Sequence, residues 1–298
     1  MNFIVDKLFP FLLSQSKRNF VEKIFFRLAI TCFIVDSILM AAAYLEIIPG
    51  WVYCRTGMPD PLSIIYTPFS ILLLYEVYLL IFYLPYSITT YLGKQYEIIT
   101  LILVRKLFYE IPLFSHPNLF NEEHITHLLV SLCGLIALCG LIFLFNKLSK
   151  KEKTPKPEQN KTDYVKFIAK KKILSVVLVL IFGFLFVKSF FEISEFSISG
   201  VEDIEHLIRQ MSNSFFNDFF VVLILIEVLL LLFTFSFSDK FNKVVRNSGF
   251  IISTMLLKLS FRAEGNTTVY IMIIATLFGV GILWIYKLFE KKFGDSTE

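Results

Sequence analysis

Six long runs of apolar residues constrain this chain more than any other feature of its sequence. They cover residues 24–48, 63–87, 125–146, 173–194, 215–237 and 268–287. A helix needs about 20 apolar residues to cross a hydrocarbon core roughly 30 Å thick, so each run is long enough to span a membrane. The chain is also 56% hydrophobic and only 18% charged, unlike a soluble domain. The sequence therefore predicts an all-α integral membrane protein and excludes an ordinary soluble enzyme.

Two further segments, 96–114 and 249–264, are less apolar and carry basic residues near their middles. Arg105 and Lys106 lie in the first segment, and Lys258 lies in the second. Hydropathy alone leaves two arrangements open. Either both segments cross the membrane, which gives eight transmembrane helices, or both lie at its surface and six helices cross.

The distribution of basic residues favours eight crossings. Ten lysines lie between Lys147 and Lys172, and further basic residues lie near both ends of the chain. Cytoplasmic segments are enriched in Lys and Arg, so all three regions are predicted to be cytoplasmic. An even number of crossings must then separate them, which requires both doubtful segments to cross. We expect a multi-pass protein of the inner or plasma membrane with both termini in the cytoplasm. The predicted cytoplasmic turns are 88–95 and 239–247.

Two stretches of the chain resemble each other at a constant offset. Residues 73–87 read LLYEVYLLIFYLPYS and residues 224–238 read ILIEVLLLLFTFSFS, so that Glu76 aligns with Glu227. A charge in the middle of an apolar helix is rare because it costs free energy in the membrane. The match of the two glutamates is therefore stronger evidence for a repeat than the matches of leucines. With one residue of slippage, Lys106 aligns with Lys258. The sequence predicts a duplicated four-helix unit, in parallel repeats related by an axis along the membrane normal.

The predicted organisation has five parts. They are an interfacial N-terminal segment (1–23), a first four-helix membrane repeat (24–147), a cytoplasmic lysine-rich linker (148–171), a second four-helix membrane repeat (172–288) and a cytoplasmic tail (289–298). Apolar residues recur on one helical face around residues 201–209, which predicts an amphipathic helix at the outer surface. Close helix contacts are expected at glycines within the fourth, fifth and eighth helices, namely Gly134, Gly140, Gly183, Gly279 and Gly281.

Charged residues inside the predicted membrane are the candidate functional residues. Such residues are rare and face inward, where they form pairs. They are Asp36, Glu76, Arg105, Lys106, Glu227 and Lys258. We expect Glu76 to face Arg105 or Lys106 and Glu227 to face Lys258, each within its own bundle. Three roles remain open: an ion pathway, buried pairs that fix helix packing, or charges that dock a partner subunit.

The remaining motifs are weak. His124 and His127 lie one helical turn apart, but no further ligand is fixed by the sequence, so no metal site is predicted. No catalytic or cofactor-binding motif is present, and the chain is predicted not to be an enzyme. The basic residues follow the membrane boundaries rather than forming a nucleic-acid surface.

The leading functional prediction is transport or conduction of a small ion, a proton or a monovalent cation, by intramembrane carboxylates. Because Asp36 has no acidic counterpart in the second repeat, the first repeat is expected to carry the pathway. The alternative is a non-catalytic membrane scaffold or anchor subunit of a larger complex. The expected partners are the lipid bilayer and either other protein subunits or further copies of the chain.

Overall fold

The structure of the protein, a computed structural model, describes residues 9, 13–45, 64–110, 122–150, 161–198, 204–237, 241–261, 263 and 265–293. Within these ranges the chain forms eight α-helices and no strand, which confirms the all-α fold class. The helices are α1 (Gln15–Tyr44), α2 (Tyr66–Tyr83), α3 (Ile88–Glu110), α4 (Glu122–Ser149), α5 (Lys161–Ile198), α6 (Ile204–Phe237), α7 (Phe241–Ser260) and α8 (Asn266–Phe293).

Four of these helices are long and apolar enough to cross a membrane. The qualifying segments are Gln15–Tyr44, Ile125–Ser149, Ile168–Ser189 and Asn266–Lys292. A shorter apolar helix covers Thr67–Tyr83. These helices indicate a membrane-embedded protein. In α1 only Ala29 is fully buried, so most of its apolar surface is available to lipid.

Proline, serine and glycine set several helix ends. Pro68 lies in the first turn of α2, where its missing N–H leaves no intrahelical hydrogen bond unmade, and Pro85 follows the last turn of the same helix. Ser87 caps α3, since its Oγ accepts a hydrogen bond from the Thr90 N–H at 3.2 Å. Gly265 has a φ of +59°, which allows the short turn between α7 and α8.

The packing order of the first four helices recurs in the last four. α1 packs on α2, α2 on α3 and α3 on α4, while α5 packs on α6, α6 on α7 and α7 on α8. The two halves meet through helices that occupy equivalent places, because α3 packs on α7 and α4 packs on α8. α2 also contacts α5. The two halves therefore pack against each other rather than standing apart as two bundles.

Two clusters of buried apolar side chains fill the interior. The first lies between α2, α3, α5 and α6 and includes Phe82 and Phe219. The second lies between α3, α4, α7 and α8 and includes Tyr96 and Phe145. Because α3 contributes to both clusters, it lies between them.

Within the described residues, 88–95 and 241–247, the prediction of turns at 88–95 and 239–247 is wrong. Residues 88–95 are the first two turns of α3, and residues 241–247 begin α7. Both helices begin with segments that contain polar residues such as Gln95 and Asn247, since the backbone can form helical hydrogen bonds there as well. The apolar part of each helix therefore begins several residues after the helix itself. The prediction therefore placed both helix starts too late, at equivalent points of the two halves.

The amphipathic helix predicted around residues 201–209 is not a separate element. Residues 204–209 are the beginning of α6, which continues without a break to Phe237. Helix α5 begins at Lys161, within the predicted linker, and residues 151–160 of that linker lie outside the described residues. Both differences have one cause. The polar beginnings of α5 and α6 continue the apolar helices, and a search for apolar runs does not detect them.

Only two of the five glycines predicted at close helix contacts lie at one. A methyl group on Gly134 would overlap Val269 of α8, and one on Gly279 would overlap the Tyr96 hydroxyl. The other three, Gly140, Gly183 and Gly281, have open space beside their Cα atoms within the described part of the chain.

Candidate functional site

The carboxylate of Glu227 lies where three helices meet. Glu227 comes from the middle of α6, is 1% exposed and reaches polar side chains on α3 and α7. A buried carboxylate is costly unless its charge is paired and its oxygens accept hydrogen bonds. Its surroundings therefore decide which chemistry it can perform.

Each neighbouring helix supplies two polar side chains four residues apart. On α3, Tyr91 Oη donates to Glu227 Oε1 at 2.8 Å and Gln95 Nε2 donates to the same oxygen at 2.5 Å. On α7, Thr254 Oγ1 donates to Glu227 Oε2 at 2.9 Å, and the Lys258 ammonium forms an ion pair with Oε1. Residues i and i+4 share a helical face, so both helices direct a polar pair toward α6. We call these five residues the Glu227 cluster.

The Glu227 cluster keeps unused hydrogen-bonding capacity. Apart from its ion pair, the Lys258 ammonium has no hydrogen-bond partner among the described residues, and neither has Gln95 Oε1. A cavity of about 90 Å³ borders Lys258 and Asn217 between α6 and α7, and its other lining residues are Phe220, Val221, Ile224, Leu225 and Leu259. This volume is large enough for water, which needs about 10–15 Å³ of accessible space per molecule. The cavity that borders Lys258 is therefore large enough to hold water.

A second polar contact lies beside the cluster. Tyr96 and Ser253 are the chain neighbours of Gln95 and Thr254, and their hydroxyl oxygens lie 2.7 Å apart. The Ser253 hydroxyl also lies 2.6 Å from the backbone carbonyl oxygen of Ala275 on α8. This contact fixes α3, α7 and α8 relative to one another, so the cluster is held by rigid elements.

A second ion pair lies farther along α6. Lys188 of α5 and Asp218 of α6 are 3.8 Å apart, and both side chains are about half exposed, at 51% each. Asp218 follows Asn217, which borders the cavity next to Lys258. Two polar residues, Asn217 and Asp218, therefore lie on α6 two to three turns before Glu227.

The structure places the other predicted site residues less closely together. The Arg105 guanidinium of α3 attracts the partly buried Glu76 carboxylate of α2 electrostatically. One carboxylate oxygen of Glu76 and one of Asp36 are buried without a hydrogen-bond partner among the described residues. The side chain of Lys106 lies outside the described residues. The first half thus holds an acid near a base.

Three members of the cluster were not found from the sequence: Tyr91, Gln95 and Thr254. The first two lie in the segment predicted to be a turn, and Thr254 is a small polar residue that apolar helices often contain. The available signal was the four-residue spacing that Thr254 shares with Lys258 and Tyr91 shares with Gln95. That spacing points to a common partner only once both segments are known to be helical.

His124 and His127, for which no metal site is predicted, lie in the first two turns of α4. His127 Nδ1 lies 2.7 Å from Asn266 Oδ1, so this histidine joins α4 to α8. The side chain of His124 lies outside the described residues. Within the described part of the chain, no three His, Cys, Asp or Glu side chains are grouped as metal ligands.

Comparison with protein-family models, with curated proteins and with solved structures gave no match.

Proposed function

We propose that the protein is an eight-helix membrane protein that moves a proton or a monovalent cation through a site built around Glu227. The observation that supports this proposal is the buried carboxylate of Glu227, paired with Lys258 beside a cavity large enough for water. In this proposal the protein lies in the inner or plasma membrane with both termini in the cytoplasm.

The lengths and charges of α3 and α7 support eight crossings. At 1.5 Å per residue, the 23 residues of α3 and the 20 residues of α7 extend over about 34 and 30 Å, enough for a hydrocarbon core of roughly 30 Å. Two of the three basic residues that made these segments doubtful do not oppose crossing. Lys258 is buried in an ion pair, and Arg105 faces an acidic partner.

The recurrent packing order supports the duplicated unit. The order α1–α2–α3–α4 recurs as α5–α6–α7–α8, and equivalent helices meet as α3 with α7 and α4 with α8. Parallel repeats related by an axis along the membrane normal bring equivalent helices together in this way. The proposed site then lies where the repeats meet, since Tyr91 and Gln95 belong to the first half and Glu227 to the second. This proposal departs from the expectation that the first repeat carries the pathway.

The ion pair supplies a mechanism of exchange. When the Lys258 ammonium pairs with the Glu227 carboxylate, it takes the place that an external cation would have. A proton or a small cation can bind Glu227 when the Lys258 ammonium turns toward the cavity lined by Asn217. Release restores the internal pair. Lys258 therefore acts as a tethered competitor, and Tyr91, Gln95 and Thr254 hold the carboxylate in place.

Flux through reconstituted vesicles tests this proposal. Wild-type protein in proteoliposomes should dissipate an imposed pH or cation gradient when a membrane potential is applied, and E227Q should abolish this flux. D218N is the matched control, because it neutralises a partly exposed acid on the same helix and should retain most of the flux. The absence of wild-type flux under every gradient, together with stable copurification of another subunit, would favour the scaffold function instead.

A further inference from the structure

We propose that the groove between α3 and α4 binds an anionic phospholipid of the cytoplasmic leaflet. The assignment to that leaflet rests on the proposed eight-helix topology, but it does not depend on ion transport. The groove has a volume of about 810 Å³, within the range of roughly 300–1,000 Å³ that is usual for small-molecule sites.

The groove is apolar along its length and polar at one end. Leu101 of α3 and Ile142 and Phe143 of α4 line its apolar part, and Lys147 and Lys150 lie at the end of α4. Leu101 and Phe143 are exposed, so the groove opens sideways toward the surface that the membrane covers. This arrangement suits a ligand with an apolar chain and a charged head.

The length of the groove fits one leaflet of the membrane. It extends along α4 from Cys139 to Lys150, which is about 16 Å at 1.5 Å per residue. Half of a hydrocarbon core is roughly 15 Å thick. An acyl chain that follows the groove from the lysines would therefore end near the middle of the membrane.

The charges at the polar end favour an anionic head group. Lys147 lies in the last turn of α4, and Lys150 follows the helix directly, where its backbone N–H still donates to the Asn146 carbonyl oxygen at 3.0 Å. Neither forms an ion pair with any described residue. The acidic residue in the groove, Glu97, pairs with Lys94 at 2.6 Å and lies 3.5 Å from Asn146 Nδ2. Among the described residues that line the groove, the two lysines are therefore the cations without an acidic partner.

A simpler role for these lysines makes a different prediction. Cations at a helix C-terminus stabilise the helix by interacting with its dipole, whichever lipid is present. A lipid-binding role requires a preference for anionic over zwitterionic head groups, and it also requires the apolar part of the groove. Two variants separate these requirements.

The test measures how many lipids the purified full-length protein retains. Protein in detergent is incubated with dioleoyl-phosphatidylglycerol or dioleoyl-phosphatidylcholine, and native mass spectrometry counts the bound lipids. Wild type should retain phosphatidylglycerol preferentially. K147Q/K150Q should weaken this retention about 30-fold, because each lysine contributes to the attraction of an anionic lipid. The matched control is K291Q/K292Q, which neutralises two exposed lysines at the end of α8 and should change little.

C139W tests the apolar part of the groove without changing its charge. Cys139 is exposed and lines the far end, so the indole should block the acyl chain and lower the retention of phosphatidylglycerol while both lysines remain. Equal retention of the two lipids by wild type would overturn the proposal, as would unchanged retention in K147Q/K150Q. Displacement of the lipid by inorganic phosphate alone would assign the site to free anions and also overturn it.

Discussion

Replacement of Glu227 by glutamine tests whether the buried ion pair stabilises the protein. In E227Q the Lys258 ammonium keeps its charge but loses the carboxylate that neutralises it. The glutamine also has only one oxygen to accept the hydrogen bonds that Tyr91, Gln95 and Thr254 donate to the carboxylate. The variant therefore contains a buried charge without a counter-ion and at least one donor without an acceptor.

The expected loss is large because both partners are almost fully buried. Removing one partner of a buried ion pair costs about 3–5 kcal/mol of unfolding free energy, and E227Q should lose this amount. K258M alone should lose about 3 kcal/mol, since it leaves the carboxylate without its counter-ion. E227Q/K258M removes both charges but leaves Tyr91, Gln95 and Thr254 with one amide oxygen to share, so it should lose about 4–5 kcal/mol, less than the sum of the two single losses. The two substitutions should therefore show a coupling free energy of about 2–3 kcal/mol.

Equilibrium unfolding of the four proteins measures this coupling. The purified proteins are unfolded in mixed micelles with increasing sodium dodecyl sulfate and followed by circular dichroism. The matched control is the cycle of D218N with K188Q, because the Lys188–Asp218 pair is about half exposed and such pairs contribute about 0.2–1 kcal/mol. The reasoning fails if the coupling between Glu227 and Lys258 is no larger than that of the control pair.

Two further substitutions test the packing around the cluster in the same unfolding assay. G279A should lose about 1–3 kcal/mol, because its methyl group would overlap the Tyr96 hydroxyl and overpack the contact. G140A is the matched control, since the described residues leave open space there, and equal stability of the two variants would contradict this account. Y91F should lose about 1.5–3 kcal/mol, because the tyrosine donates a hydrogen bond to the charged Glu227; unchanged stability would show that this hydrogen bond contributes nothing.

The charged residues of the site were predictable because the membrane makes charge expensive. Glu227 and Lys258 are charged residues in apolar segments. The match of Glu227 with Glu76 further marked Glu227 as a candidate functional residue. Their neighbours are different. Gln95 and Tyr91 precede the apolar part of α3, and a neutral side chain costs too little in the membrane to attract notice. A search for apolar runs finds the apolar part of a helix. It does not find the residue at which the backbone hydrogen bonds of the helix begin.

The packing of the helices was not predictable for a related reason. In a soluble protein the alternation of apolar and polar residues identifies the inward face of a helix. In a membrane protein the lipid is as apolar as the core, so both faces carry the same kinds of residue. The sequence could not show that α4 packs on α8, or that Gly134 lies at a helix contact while Gly140 does not.

The central claim is that α3 and α7 cross the membrane and so place the Glu227 cluster inside it. Single cysteines at four exposed positions test this in a background without the native cysteines: Thr90 and Asn242 near the starts of α3 and α7, and Ile125 and Thr267 beyond their ends. An impermeant thiol reagent added to intact cells should label only Ile125 and Thr267, and Thr90 and Asn242 should react only after the membrane is opened. Labelling of Thr90 and Ile125 from the same side, or of Asn242 and Thr267 from the same side, would contradict the account.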